Sequence, residues 1–357
     1  MFNNIKNIPY YIFGSGSFNQ LGDLIQDKRG QNDFVVFCID FFFKGKKIID
    51  RLPIESEDKV YYIDTSKEPK TTDIDRLRSL IQQSCEKMPC CIVGIGGGSV
   101  LDTTKAISNL MTNPGKAEDY QGWDLVKNPG IFKIGIPTLS GTGAEVSRTC
   151  VLTNEKRGIK LGMNSDYSMF DQLVLDPDLT KTVSRNQFFF TGMDTYMHCI
   201  ETLKGRYRNS IVDSFSQKAV SLCKEIFLSE DMMAEENLEK IMVASYLGGC
   251  AAGNVGLIHP LSAGLSIVLK YRHGISNCHA MSVVGDFYPN EFEVFNLMMQ
   301  KQDVSLPKGI CKELSSEDYN QLYKSTVIHE KPLANALGDN FDTILTRERV
   351  ISLFKQM

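Results

Sequence analysis

The stretch Cys90-Cys-Ile-Val-Gly-Ile-Gly96-Gly97-Gly98-Ser99-Val-Leu-Asp102 decides how the chain is read. An apolar strand over Cys90–Ile95 runs into three consecutive glycines and then into a helix over Val100–Met111. Glycines let the backbone approach a ligand closely, and a helix N-terminus offers unpaired N–H donors with a favourable dipole. The arrangement predicts a phosphate or pyrophosphate cradle. Ser99 and Asp102 also have the spacing of a capping box, with Asp in place of the usual Glu. It is not the Rossmann fingerprint. Ser99 occupies the third glycine position of that motif, and no clear ribose-binding acid lies ~20 residues downstream. The alternative is a tight strand-to-helix turn that holds no ligand.

Outward from this turn the first half repeats the pattern. Strand-like segments fall at Tyr10–Phe13, Phe34–Ile39, Val60–Ile63 and Phe132–Ile136, and helix-like ones at Phe18–Gln26 and Asp73–Lys87. Strands alternating with helices predict βα units and a mostly parallel sheet. The β signal stops near Asp176-Pro177-Asp178. From Arg185 the pattern is helical over Asn186–Gly205, Ser210–Leu228, Glu236–Ala252 and Leu261–Lys270, with shorter pieces beyond. The expected organisation is an α/β dinucleotide-binding domain over residues 1–181 and an all-helical metal-binding and catalytic domain over 182–357.

Composition narrows the function. The 357 residues carry 39 Lys plus Arg against 43 Asp plus Glu, a net charge of −4, the opposite of a protein that lives on nucleic-acid phosphate. No apolar run approaches the ~18 residues of a membrane span, and the amino terminus lacks the charged-then-apolar order of a signal peptide. A soluble cytoplasmic protein is expected, with neither nucleic acid nor membrane as partner. Ten cysteines are scattered without a Cys-x-x-Cys pair. That pattern reads as buried small hydrophobes in a reducing compartment, not a zinc ribbon or disulfide framework.

Three further motifs bear on chemistry. Ile136-Pro-Thr138-Leu-Ser140-Gly141-Thr142-Gly143-Ala-Glu145 follows a strand and alternates hydroxyls with glycines, so several donors can converge on one anion; such loops are also common without a ligand. Asp40 ends a hydrophobic strand, where an acid can accept both hydroxyls of an adenosine ribose or simply cap a turn. The five histidines are His198, His259, His273, His279 and His329. Asp194-x-x-x-His198 places an acid and an imidazole on one side of a helix, and His259 and His273 flank a helical segment. One carboxylate and three imidazoles suit a first-row divalent ion such as Fe(II) or Zn(II), although each histidine alone is more often a core or surface residue.

Together these segments resemble the iron-containing (group III) alcohol dehydrogenase family, from Phe13-Gly14-Ser-Gly16 to about Asn296. The resemblance implies the dehydroquinate synthase-like architecture and a bound NAD. Gly96–Asp102 (Gly96, Gly97, Gly98, Ser99, Asp102) and Pro137–Glu145 (Thr138, Ser140, Thr142) match the family's dinucleotide-binding motifs, Asp40 its ribose-binding acid, and Lys160 a cofactor-contacting lysine. It implies a divalent metal, Fe(II) before Zn(II), held by Asp194, His198, His259 and His273. Family members often carry a second histidine four residues after the third ligand, where this chain has Ala263. His279 is therefore a candidate to carry the alcohol proton.

The activity implied is oxidation of a primary alcohol to an aldehyde, with the metal as Lewis acid and the nicotinamide as hydride acceptor. Family members that the chain most resembles act on the 8-hydroxyl of an acidic sugar, 3-deoxy-D-manno-octulosonate. Lys204, Arg206 and Arg208 lie just past the second metal ligand and could hold such a carboxylate, or merely complement a helix end. The substrate expected is thus an anionic sugar and the assembly a homodimer. Alternatives are a dehydrogenase or reductase of a small neutral alcohol or diol, and a lyase or cyclase of the dehydroquinate synthase type.

Overall fold

A computed structural model describes residues 6–357. The apolar runs of the first half form β1 (Tyr10–Phe13), β2 (Val35–Asp40), β3 (Lys59–Ile63), β4 (Cys91–Gly96), β5 (Gly122–Trp123), β6 (Lys133–Pro137), β7 (Thr149–Asn154), β8 (Ile159–Asn164) and β9 (Gln172–Leu175). Six of them make one sheet in the order β1-β9-β6-β4-β2-β3, parallel throughout. A parallel sheet is covered on both faces, so its central strands read as unbroken apolar runs. Alternate residues serve opposite cores. Val36, Cys38 and Ile92 face Ile74 of α2 (Thr71–Ser84, with α1 at Leu21–Gln26) and Val100 and Ile107 of α3 (Gly98–Thr112). Val35, Phe37, Val93 and Ile95 face Leu21 and Ile25 of α1.

The turn from β4 into α3 is as expected, but its cap is not. Gly97 is the N-cap and no side chain caps the helix, so the capping box expected of Ser99 and Asp102 does not form. Asp102 lies two residues deeper than the position such a cap uses. Its Oδ2 accepts from the Val151 N–H at 2.9 Å, and its Oδ1 lies 3.4 Å from the buried Lys105 ammonium. Glycine at 96 is required by packing, since a Cβ there would lie 2.5 Å from Val100 Cγ2.

No strand was expected between Ile136 and the helical half, yet three occur. β7 and β8 join the equally unexpected β5 in a second sheet, ordered β5-β8-β7, and β9 enters the first between β1 and β6. β7 and β8 carry polar residues along their length, and only Cys150, Leu152 and Met163 join the core with α3. Their pairing is a tertiary product.

The second half is helical: α4 (Arg185–Lys204), α5 (Ser210–Phe227), α6 (Glu235–Ala251), α7 (Ile258–Val268), α8 (His273–Met281), α9 (Pro289–Lys301), α10 (Ser316–Val327), α11 (Glu330–Leu337), α12 (Phe341–Ile344) and α13 (Arg347–Lys355). Ser184 and Asn209 cap α4 and α5 by accepting backbone N–H groups of the first turn. α4 is buried on most sides and is the central helix, with Phe189, Met193, Tyr196 and Ile200 in the core. Gly192 makes that possible, because a Cβ there would meet Phe227 of α5 at 2.5 Å and Ile241 of α6 at 3.0 Å.

Contacts divide the chain into two compact units. The first runs to Thr182 without Ser140–Gly143 and Gly158–Lys160; those two segments join Val183–Met357 in the second. All ten cysteines are free thiols. Among the described residues no helix is long and apolar enough to cross a membrane.

Candidate metal centre

α4 presents Asp194, His198 and Glu201 at spacings of four and three residues, one face of a helix. His259 stands in the first turn of α7, where Pro260 costs no hydrogen bond, and His273 opens α8. Gly274 lets α8 begin close to α4, since a Cβ there would lie 2.8 Å from the Phe190 carbonyl. The result is convergence. Asp194, His259 and His273 each offer one ligand atom, all within 4.8 Å of one another. His259 Nε2 lies 3.1 Å and His198 Nε2 3.5 Å from Asp194 Oδ1, and His273 Nε2 lies 3.5 Å from Oδ2. The His198 and His259 rings are stacked, with centroids 4.4 Å apart and planes 9° from parallel.

A second layer, not anticipated from the sequence, orients these groups. His259 Nδ1–H donates to Glu201 Oε2 at 2.5 Å, which turns Nε2 inward, while Glu201 Oε1 accepts the Ile258 N–H. Asn277, one turn after His273, donates from Nδ2 to Asp194 Oδ1 at 2.7 Å. Both have a recoverable signal, Glu201 seven residues after Asp194 and Asn277 four after His273, on the faces already marked by ligands.

Asp194 has no solvent exposure. Burial alone would raise its pKa, but the neighbouring His198, His273 and His259 overcome that and hold it well below the usual carboxylate range. Burial pushes His198 down to about 4, and for His259 the Glu201 and Asp194 carboxylates outweigh burial and lift it to about 9. Two buried carboxylates around three imidazoles leave the pocket in need of positive charge. One carboxylate oxygen and three imidazole nitrogens are a donor set for a first-row divalent cation, so these residues fit the metal that their types suggested.

The expected dinucleotide residues are placed as follows. Gly97, Gly98 and Ser99 at the head of α3 are partly exposed, with Gly96 buried behind them. Asp40 Oδ1 accepts from the Phe42 N–H at 3.0 Å and from Thr65 Oγ1 at 3.1 Å, a cap as well as a strand-end acid. Asp102 is spent on Val151 and Lys105, as above. Thr138 is buried, its N–H bonded to the Gly96 carbonyl. The Gly-Thr-Gly turn is committed to the helical unit, because Ser245 Oγ accepts the N–H groups of Gly141 and Gly143 at 2.8 and 3.3 Å. Thr195 Oγ1 donates to the Gly141 carbonyl at 2.7 Å. Of the hydroxyls expected to converge on an anion, Ser140 Oγ is buried and makes no hydrogen bond, and Thr142 belongs to the same turn; Lys160, the expected cofactor-contacting lysine, is buried.

The cations past His198 do not form an open cluster. Lys204 pairs with Glu291 at 3.1 Å, Arg206 with Asp339 at 3.3 Å, and Arg208 with Asp213 at 2.8 Å, while Arg208 also donates to the Leu203 carbonyl at the end of α4. Here the helix-end reading accounts for them. His279 is not brought together with the ligands. Six residues beyond His273 it faces well round the helix from Asn277, and its ring lies against Tyr271 at 5.7 Å.

The comparisons with known proteins agree with this picture. The model of the iron-containing alcohol dehydrogenase family matches residues 9–177, and that of the family's C-terminal region matches residues 188–320. A sulfoacetaldehyde reductase of Bilophila wadsworthia is 29% identical over 289 residues, covering 78% of this chain and 73% of the relative. An NAD-dependent methanol dehydrogenase of Bacillus methanolicus is 26% identical over 277 residues, 75% of this chain and 71% of the relative. The crystal structure of a 1,3-propanediol oxidoreductase superposes with a TM-score of 0.82 at 20% identity, covering 100% of this chain and 99% of that one.

Proposed function

The chain belongs to the iron-containing alcohol dehydrogenase family and is an oxidoreductase acting on alcohols or aldehydes; from that premise we propose that it interconverts a primary alcohol and its aldehyde with NAD as hydride carrier. The observation that carries the reading is the convergence of Asp194 with His259 and His273, flanked by His198. A divalent cation held there supplies a fixed positive charge that lowers the pKa of an alcohol oxygen and polarises a carbonyl. The chain's own residues do the rest. Glu201 holds the Nδ1 proton of His259, Asn277 holds Asp194, and the buried middle of α4, packed against α8, keeps these groups in place. Asp40 at the end of β2 favours NAD over NADP, because a 2′-phosphate would face like charge. A relative named for NAD supports the same choice. The lyase alternative is not favoured, as both family matches are to alcohol dehydrogenases.

The finer reading is an acidic sugar oxidised at its terminal primary alcohol, 3-deoxy-D-manno-octulosonate. It rests on the sequence resemblance, and a relative named for the anionic sulfoacetaldehyde is in keeping with it. The carboxylate-paired Lys204, Arg206 and Arg208 give it no added support. Relatives named for methanol and 1,3-propanediol favour the alternative of small neutral alcohols. A homodimer is supported by β1, an edge strand with Tyr10 and Tyr11 exposed. The test is absorbance of reduced nicotinamide with NAD and a panel of octulosonate, 1,3-propanediol and methanol. Net reduction of NAD is expected, fastest with octulosonate. Absence of hydride transfer in either direction with every alcohol and aldehyde overturns the reading, and preference for the neutral alcohols overturns only its finer part.

A further inference from the structure

We propose that His329 is a substrate-contacting residue, whose Nε2 hydrogen-bonds a second oxygen of a polyhydroxylated substrate beside the metal centre; this rests on the oxidoreductase reading above. His329 joins α10 to α11. Gln321 and Ser325 lie one turn apart on α10, and both reach the Gly158 carbonyl, Gln321 Nε2 donating at 2.8 Å and Ser325 Oγ at 3.5 Å. That contact brings the Gly158–Lys160 segment onto this face of α10. His329 follows one turn later. α10 and α11 both pack against α7, the helix that carries His259.

Three observations give the ring a purpose beyond packing. Its Nε2 is sealed from solvent and has no hydrogen-bond partner. The side chain does not cap α11, although His329 is that helix's N-cap residue. Burial, with the charges of His259 and Lys160, lowers its pKa to about 4, so the ring is neutral at ordinary pH and lies within electrostatic reach of both. A neutral imidazole with an unpaired ring nitrogen suits a hydroxyl, to which it can donate or from which it can accept. Ala263, one turn past His259, has no polar group to offer. A buried nitrogen left unpaired is unfavourable, and a substrate oxygen satisfies it. The class of ligand selected is an alcohol with a further hydroxyl close to the reacting carbon, in preference to a simple alkanol of the same size.

With only five histidines, the imidazole spectrum of the chain is simple enough to read directly. The experiment is ring ¹⁵N NMR of the full chain loaded with Zn(II) and NAD, titrated with glycerol and, separately, with 1-propanol. His329 is assigned from the resonance lost in His329→Gln. Glycerol is expected to shift the His329 Nε2 resonance and 1-propanol is not. His329→Phe is expected to weaken glycerol binding about tenfold or more at unchanged metal content, with His329→Gln retaining part of the affinity. An Nε2 resonance indifferent to saturating glycerol, or equal losses for both alcohols in His329→Phe, overturns the proposal. A glycerol-dependent shift without hydride transfer to NAD would leave His329 in its role and discard the oxidoreductase reading instead.

Discussion

Asp194 shows how residues with ordinary chemistry acquire a special role by burial. Its carboxylate has no water to stabilise it, so Asn277, His259, His198 and His273 do so instead. Glu201 is the less obvious member. By holding the Nδ1 proton of His259 it fixes which nitrogen faces inward, and outer partners of this kind typically change metal affinity about 10–100-fold. Glu201→Gln should therefore weaken Zn(II) binding by about that factor in a chelator competition, with circular dichroism unchanged; an unaltered affinity would show the contact to be incidental. His279 makes a different prediction. It is 1% exposed, and burial lowers its pKa from 6.5 to about 4. The unfolded chain thus binds a proton that the folded one refuses, so stability is fully present above about pH 6.5 and is lost as pH falls through about 4. The loss between neutral pH and about pH 5 is on the order of 2 kcal/mol for this group. Denaturant unfolding of His279→Gln at both pH values should show a smaller acid loss than the parent, and an equal loss would mean that another group carries it.

At the scale of elements, glycine serves two purposes that look identical in one dimension. Gly97 heads α3, and a Cβ there would meet Leu139 at 3.4 Å, a contact the core tolerates. Gly141 has φ of 139°, and its Cβ would fall on the Thr191 carbonyl of α4. Gly97→Ala should leave the unfolding midpoint nearly unchanged while weakening NAD binding about tenfold or more, because it blocks backbone approach at a helix N-terminus. Gly141→Ala should cost about 3 kcal/mol or more, from a strained backbone and a collision with a central helix. Calorimetry with an NAD titration separates them. If Gly97→Ala bound NAD normally, the turn would be only a connection between β4 and α3.

For the whole molecule, the candidate metal centre lies in the helical unit alone, since all four expected ligands fall within Val183–Met357. A cation that binds only the folded state stabilises the elements that hold it. Removing it with a chelator should therefore speed hydrogen exchange in α4, α7 and α8 and leave β2 and β4 unchanged; uniform acceleration along the chain would contradict this. The same division marks what could be read in advance. The α/β-then-helical order, five strands of the main sheet and the residues that converge in the candidate metal centre were legible in sequence, because apolar periodicity, glycine placement and helix spacing are local properties of the chain. The sequence by itself also determined that β4 runs through glycines into α3, as packing against Val100 requires no side chain at Gly96. Only the tertiary structure decided that β7 and β8 pair, that Asp102 turns to Val151, that Gly141–Gly143 joins α4 and α6, and that Lys204, Arg206 and Arg208 are neutralised. Each of these depends on a partner distant in the chain, and whether a polar group is spent or left open is settled by what folding brings beside it.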